Sequence, residues 1–367
     1  MRLVLNNIVF SQQKAGGISL LWSELVKYIL HCNIKCFFIE YTGSDLNIYR
    51  KNIDISKVET KQYKYNKIFS LLPKSVIKIK KDNYVCLSSD YNICKSKRIG
   101  NVIVVHDFIN EFYEKRIFVR LFKKYYKKRA IFFSDAIICV SDNTKKDLIK
   151  IYPKIDISKI HVVHNCVSKD YKVLNDLGDY EVQFKPFSYV VFVGRRKGYK
   201  NFKIVVEALH KYSVMNLVIV GGGKLLDTEV TQLQSKIGSS RFAHISGVNN
   251  HHLNVLYNYA YALIYPSEYE GFGIPIIEAQ AAGCPVITSK NSSLQEVGGL
   301  GCVYIDDNTS ASIDIALQKL EDEDLRKNII RLGLINKNKF SPAKMAGKYI
   351  AICDDIFNKK FSNDNKA

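Results

Sequence analysis

At 367 residues the chain is too long for one ordinary hydrophobic core, because single cores stop growing at about 250 to 300 residues, so two domains are expected. Its 47% hydrophobic and 12% aromatic content supports packed globular structure rather than disorder, and nine cysteines without a Cys-x-x-Cys pair indicate neither zinc nor a disulfide framework. The formal charge of +19 lies mainly in front: residues 1–180 carry 32 Lys and Arg against 17 Asp and Glu, while residues 181–367 carry 22 against 18.

In chain order, residues 3–10 read as a strand broken by asparagines, with neither the long apolar core nor the small-residue cleavage site of a secretion signal. Gly16-Gly17-Ile18-Ser19 opens a helix to His31, and residues 35–40 form the next strand. Residues 102–105 run into His106-Asp107, and residues 136–140 into Ser141-Asp142, so each polar pair lies at the carboxyl end of a buried strand. Between them, residues 115–129, from Lys115 to Arg129, place cations at helical spacing with Phe and Tyr interleaved. That composition suits a helix on an anionic membrane surface, with a merely solvated lysine-rich helix as the plain alternative. No DNA- or RNA-binding signature accompanies the charge, so nucleic acid is not an expected partner. The longest apolar stretch, residues 130–140, is interrupted by Ser134 and Asp135 and is far shorter than the ~20 residues that cross a bilayer. A cytosolic protein with reduced thiols is expected.

Residues 161–165 form a last short strand of this half, and residues 169–186 lose apolar periodicity and read as a connection. A fresh alternation then begins with strands at 189–194, 217–223, 262–265 and 285–288. Strands rich in Val and Ile without polar alternation belong to parallel sheets covered on both faces, which predicts two doubly wound domains in tandem. Helical periodicity follows from 306 to about 339, a final amphipathic helix runs from 341 to about 357, and the tail from 359 onward is expected to fray.

The segment Glu270-Gly271-Phe272-Gly273-Ile274-Pro275-Ile276-Ile277-Glu278 carries the strongest chemical signal. Two glycines allow a tight turn and Pro275 presets a first-turn φ, so Glu270 lies on the approach to a helix and Glu278 in its first turn. A helix starting at Gly273 and Ile274 offers N–H groups to a phosphate. Carboxylates for hydroxyls beside amides for phosphate describe a nucleotide-sugar pocket; ordinary surface charges on a βαβ unit are the plain alternative. Arg195 and Lys200 follow the strand ending at Gly194 and are the candidate diphosphate clamps, Arg for two-point contact and Lys as a point charge. Gly17 permits close backbone approach at a helix start, and His106 could reach the sugar or handle a proton. Asp306-Asp307 and Asp354-Asp355 lack ligand partners, so no metal is expected.

Taken together, these segments resemble the retaining glycosyltransferases of family 4. The match is strongest over residues 247–297, where Glu270 to Glu278 fits the family's Glu-x7-Glu motif and Ser292-Ser293-Leu294-Gln295-Glu296-Val297 fits the stretch that follows it. That stretch is similar to mannosyl- and rhamnosyltransferases of bacterial polysaccharide and O-antigen type. The resemblance implies an α/β fold of GT-B architecture, with two facing Rossmann-like doubly wound domains. An acceptor-binding domain would span 1–170 and a donor domain 187–340, with the helix at 341–358 crossing back to the first domain. It also implies roles: Glu270 for hydroxyls of the transferred sugar, Glu278 for the ribose, Arg195 and Lys200 for the diphosphate, His106 for the sugar, and Gly17 for the phosphate side. No cofactor is implied beyond the donor itself.

The expected activity is transfer of a hexosyl unit, first of all mannose from GDP-mannose, to a glycan acceptor with retained configuration. The acceptor would be lipid-linked and the protein peripheral on the inner face of the cell membrane. UDP- and dTDP-sugars remain open as donors. A nucleotide-sugar 2-epimerase of the same architecture and a non-catalytic basic protein binding membranes or polyanions are the alternatives.

Overall fold

A computed structural model describes residues 1–66, 82–176, 182–196 and 198–362. The chain divides into two compact units, one formed by residues up to Cys166 together with those from Pro342 onward, the other by Val167–Ser341. In the first unit, strands β1 (Leu3–Asn6), β2 (Cys36–Tyr41), β3 (Glu59–Tyr63), β4 (Tyr84–Ser88), β5 (Ile99–Val105), β6 (Ala136–Cys139) and β7 (Ile160–Val162) form one sheet in the order β3-β2-β1-β4-β5-β6-β7. The second holds β8 (Tyr189–Val193), β9 (Asn216–Val220), β10 (Phe242–Ile245), β11 (Ala262–Tyr265), β12 (Val286–Ser289) and β13 (Val303–Ile305) in the order β10-β9-β8-β11-β12-β13. The described strand pairs are parallel, as continuous Val and Ile runs require when helices cover both faces.

Strand order fixes where a ligand can enter. In the second unit the chain winds outward through β9 and β10, then returns to the other side of β8 and continues through β11, β12 and β13. The loops after β8 and β11 therefore diverge and leave a crevice at the carboxyl ends of these two strands. In the first unit the same reversal falls between β1 and β4.

Four segments depart from the sequence reading. The expected strand at 3–10 stops at Asn6, whose side chain accepts the Ile8 amide at 3.3 Å, and a short helix follows at Val9–Gln12. The strand at Glu59–Tyr63 is exposed and polar, so it leaves no apolar pattern to read. The segment read as a connection is hydrogen-bonded onto the helix Asn250–Asn258: the Lys172 and Leu174 amides donate to Asn254 and Asn258 side chains at 3.0 and 2.8 Å. Residues 177–181 of that segment lie outside the described residues, as do 363–367 of the tail. The last helix runs through Pro342–Phe361, past the expected end, and Lys360 pairs with Asp135 at 2.9 Å. Met345, Ala346, Tyr349 and Cys353 form its buried stripe against the first unit's Gly17–His31 helix and β4. Among the described residues, no helix is long and apolar enough to cross a membrane.

Candidate active site

The second unit gathers its candidate site residues Lys200, Glu270 and Glu278 around the β8–β11 crevice. After β8 the chain turns through Gly194 into Arg195 and Arg196, and a short 3-10 helix, Gly198–Lys200, aims Lys200 back at the end of β11. The Lys200 ammonium donates to the Tyr265 hydroxyl at 2.6 Å, stands 4.6 Å from the centroid of the same ring, and lies 2.5 Å from Glu270 Oε1. Tyr265 is the last residue of β11, so a strand end, a loop lysine and a loop carboxylate share one pocket. Both charged side chains are about nine-tenths buried. Their contact is an ion pair out of hydrogen-bond alignment, since Glu270 Oε1 accepts no hydrogen bond from any described residue.

The backbone at Glu270 is held from both sides. Its amide donates to Ser292 Oγ at 2.9 Å, and the Ser293 hydroxyl donates to the Glu270 and Phe272 carbonyls at 2.9 and 3.0 Å. Ser292 does this from a left-handed φ of 50°, an unfavourable conformation for serine. Gly273 then caps the helix Ile274–Ala281 at φ 99°, where a Cβ would lie 2.9 Å from Leu294 Cδ2. Pro275 has no N–H and the Ile276 amide returns to the Gly273 carbonyl at 3.0 Å, which leaves the Ile274 amide as the donor at the helix start.

Glu278 is the fifth residue of that helix, one turn past its start and not in the first turn as expected; it is buried, and Tyr257 donates to its Oε2 at 3.2 Å. Burial raises its pKa from the ordinary 4.5 to about 7, against the opposing effect of hydrogen bonds from Tyr171 and Tyr257. Near neutrality this carboxyl is poised between its charged and neutral forms. Neither tyrosine was legible in the sequence as a site residue. Tyr257 looks like a core aromatic, and Tyr171 falls in the segment read as a connection.

The two adjacent arginines separate. Arg196 is buried beneath the Gly221–Gly223 turn, while Arg195 is exposed and makes no hydrogen bond or ion pair among the described residues. Lys197 lies outside the described residues.

His106 and Gly17 belong to the first unit. His106 follows β5 with Nε2 3.3 Å from the Ser89 carbonyl, which can only accept, so the neutral ring carries its proton on Nε2 and presents Nδ1 as the lone pair. Burial lowers its pKa, with the Asp107 charge acting the other way. Gly17 begins the helix Gly17–His31, whose Ser19 amide is capped by Gln13 Oε1 at 3.3 Å. At this unit's β1–β4 crevice, a cavity of about 360 Å³ is lined by Gln12, Gln13, Asp90, Tyr91, Asn110 and Lys127 among others. Lys127, expected as part of an outward cationic face, is buried instead and bonded to Glu111 and the Asp107 carbonyl, both at 2.9 Å. The rest of its helix, Ile117–Phe133, turns Phe118, Leu121, Phe122 and Tyr125 to solvent.

Two family models and several known proteins match this chain. The family model described as Glycosyl transferases group 1 matches residues 181–333, and that for Glycosyltransferase Family 4 matches residues 82–171. The O-antigen chain mannosyltransferase RfbU of Salmonella typhimurium is 30% identical over 227 residues, 60% of this chain and 61% of its own. O-antigen chain mannosyltransferase B of Escherichia coli is 28% identical over 56% of each chain. The chain thus spans about three fifths of the length of these curated relatives. Among solved structures, sucrose-phosphate synthase from Thermosynechococcus elongatus matches with a TM-score of 0.77 over 98% of this chain and 100% of its own, at 17% identity. HepE of Anabaena, solved in complex with UDP and glucose, matches at 0.72 over 95% and 98%, at 16% identity. These likenesses fix the fold as GT-B. Both units point to one likeness: the second is similar to group 1 and the first to family 4 glycosyltransferases, and the chain is similar to bacterial O-antigen mannosyltransferases.

Proposed function

We propose that this chain transfers a hexosyl unit, with mannose from GDP-mannose as the first candidate, to a glycan acceptor with retention of configuration. The observation that carries the proposal is the Lys200–Glu270–Tyr265 cluster at the β8–β11 crevice, beside a helix start that offers an amide and a buried Glu278. In this reading Lys200, with Arg195 on the same loop, meets the diphosphate, Glu270 takes sugar hydroxyls, and Glu278 takes the ribose. The binding of UDP and glucose by HepE and the mannosyltransferase activity named for the two relatives support a nucleotide-sugar donor.

In the proposed reaction the bond from the anomeric carbon to the leaving phosphate breaks while the acceptor oxygen attacks from the same face. The acceptor proton passes to the departing phosphate oxygen, so no protein nucleophile is consumed and no metal is invoked. Developing charge on that phosphate is stabilised by the Lys200 ammonium and the Ile274 amide. The polar cavity of the first unit, rich in amides and bordered by Tyr91, suits the hydroxyls and apolar ring face of an acceptor sugar. Its neighbour His106 would orient that hydroxyl through Nδ1. The exposed aromatic and basic face of the Ile117–Phe133 helix supports peripheral attachment to an anionic membrane, where a lipid-linked acceptor would be met.

A thermal-shift panel of GDP-mannose, UDP-glucose and dTDP-rhamnose, followed by product analysis with the bound donor, tests this reading. A stabilising donor that yields a retained glycoside supports it. Epimer formation from donor alone would replace transfer by epimerisation, and the absence of any shift would sink the donor site.

A further inference from the structure

We infer that Glu270 and the donor's diphosphate compete for the same ammonium, Lys200, so that placing the diphosphate is what frees Glu270 to engage the sugar. The inference rests on the donor-site reading above and adds an order of events to it.

An ammonium has three N–H donors and one unit of charge. Lys200 spends one donor on Tyr265 Oη and its charge on Glu270 Oε1, 2.5 Å away. The Tyr265 ring, 4.6 Å from the nitrogen, covers another side, and the Tyr199 ring stands 5.7 Å off. Only 12% of the lysine side chain and 10% of the glutamate side chain are exposed, so the pair lies where charge interactions are weakly screened. A diphosphate that reaches Lys200 therefore arrives beside a carboxylate already at contact distance. Two anions on one poorly hydrated cation repel, and one must leave.

Backbone geometry decides which part can move. The Ser292 and Ser293 bonds pin the Glu270 amide and carbonyl, so the loop cannot retreat as a whole. The carboxylate, by contrast, is held only through its side chain, by the Lys200 ion pair and the Tyr265 hydroxyl. Rotation of the side chain off Lys200 is the movement that leaves the backbone in place, the arriving diphosphate replacing the carboxylate as counter-charge, and it delivers a carboxylate with an open acceptor position. Sugar recognition by Glu270 is thereby made conditional on an occupied diphosphate position, which disfavours free sugars lacking the diphosphate.

This yields an outcome that simple loss of a sugar contact does not. Neutralising Glu270 leaves Lys200 without its counter-charge in a semi-buried site, so affinity for a bare nucleoside diphosphate should rise while transfer falls. The test is calorimetric titration of GDP, UDP and dTDP into wild type, Glu270→Gln, Glu270→Ala, Lys200→Met and the Lys200→Met/Glu270→Gln double variant, with circular dichroism to establish folding. The expected result is a Kd about three- to tenfold lower in either Glu270 variant, with no such gain in the Lys200→Met background. An unchanged or weaker Kd in both folded Glu270 variants, with wild type binding normally, overturns the competition and leaves the transferase reading standing. Failure of wild type to bind any of the three nucleotides overturns both.

Discussion

Arg196 lies locked beneath the turn Gly221–Gly223 while its neighbour Arg195 stands exposed on the same loop. The Arg196 guanidinium grips Glu229 with two nitrogens at 3.3 and 3.1 Å and donates to the Gly221, Gly223 and Lys224 carbonyls at 2.9, 3.2 and 3.0 Å. A Cβ on Gly222, which sits at φ 75°, would come within 2.6 Å of Arg196 Nη1 and of the Gly194 carbonyl, so only glycine lets the turn close over the arginine. One cation builds the loop and the other is left exposed to solvent.

Replacing each arginine with Met should separate those roles. Arg196→Met strands a half-buried carboxylate and removes the donor to three carbonyls, and is expected to cost about 3 kcal/mol, lowering Tm by roughly 6 to 12 °C. Arg195→Met should leave Tm within about 1 °C, as for other exposed positions, while weakening donor affinity about tenfold or more. Scanning calorimetry and donor titration check the pair; a destabilised Arg195→Met protein would contradict the assignment.

Glu278 ties stability to pH with a definite sign. Its pKa is raised in the folded state, so the proton it holds stabilises the fold fully below the ordinary 4.5, and that contribution is lost as pH rises through about 7. The loss is on the order of 3 kcal/mol at most. Glu278→Gln removes the group, so the variant should match wild type in Tm near about pH 5 and exceed it near about pH 8. Donor hydroxyls favour the ionised form, so wild-type donor affinity should strengthen over the same window. A Tm difference that stays flat with pH would show that Glu278 does not titrate in a buried environment.

Gly273 and Ser292 hold the Glu270 loop from positive φ, and substitution should respond accordingly. Gly273→Ala meets Leu294 and a disfavoured conformation, with an expected cost of about 1–3 kcal/mol and loss of most turnover. Ser292→Gly relieves backbone strain but deletes the acceptor for the Glu270 amide, so kcat should fall about tenfold or more with Tm little changed. Steady-state kinetics beside thermal melts would distinguish this from general destabilisation, in which activity and Tm fall together.

The parts of this architecture that follow from one-dimensional pattern were legible in the sequence. Continuous Val and Ile runs such as Tyr189–Val193 can only be strands covered on both faces, and Glu270 to Glu278 spans a turn and a helix start whose glycines and proline dictate their conformation. What stayed hidden depends on pairings across distance. Glu59–Tyr63 hydrogen-bonds as an edge strand without burying a face, so its composition carries no period. Tyr171 reaches Glu278 from a segment without periodicity of its own, because Asn254 and Asn258 draw its neighbours onto the helix. The division of labour between Arg195 and Arg196 depends on Glu229, 33 residues from Arg196 in sequence. Ser292 shows no sequence sign of its left-handed conformation, since serine rarely adopts it.

The Ile117–Phe133 helix supplies the last prediction. Phe118, Leu121, Phe122 and Tyr125 recur at intervals of three and four residues and so share one face, with Phe118 89% exposed. A free-standing aromatic stripe of this kind is unfavourable in water and suited to the headgroup boundary of a bilayer. Lys124 and Lys128, exposed and spaced four apart, flank the stripe and add attraction to anionic lipid of roughly 1 kcal/mol each near the surface. The protein should therefore sediment with phosphatidylglycerol vesicles at low salt and less with phosphatidylcholine vesicles. Phe118→Ser/Leu121→Ser/Tyr125→Ser should abolish the remaining salt-resistant fraction without lowering Tm, because none of the three side chains packs in a core. Equal sedimentation of the triple variant and wild type would mean that the stripe does not enter the membrane and that charge alone accounts for any binding.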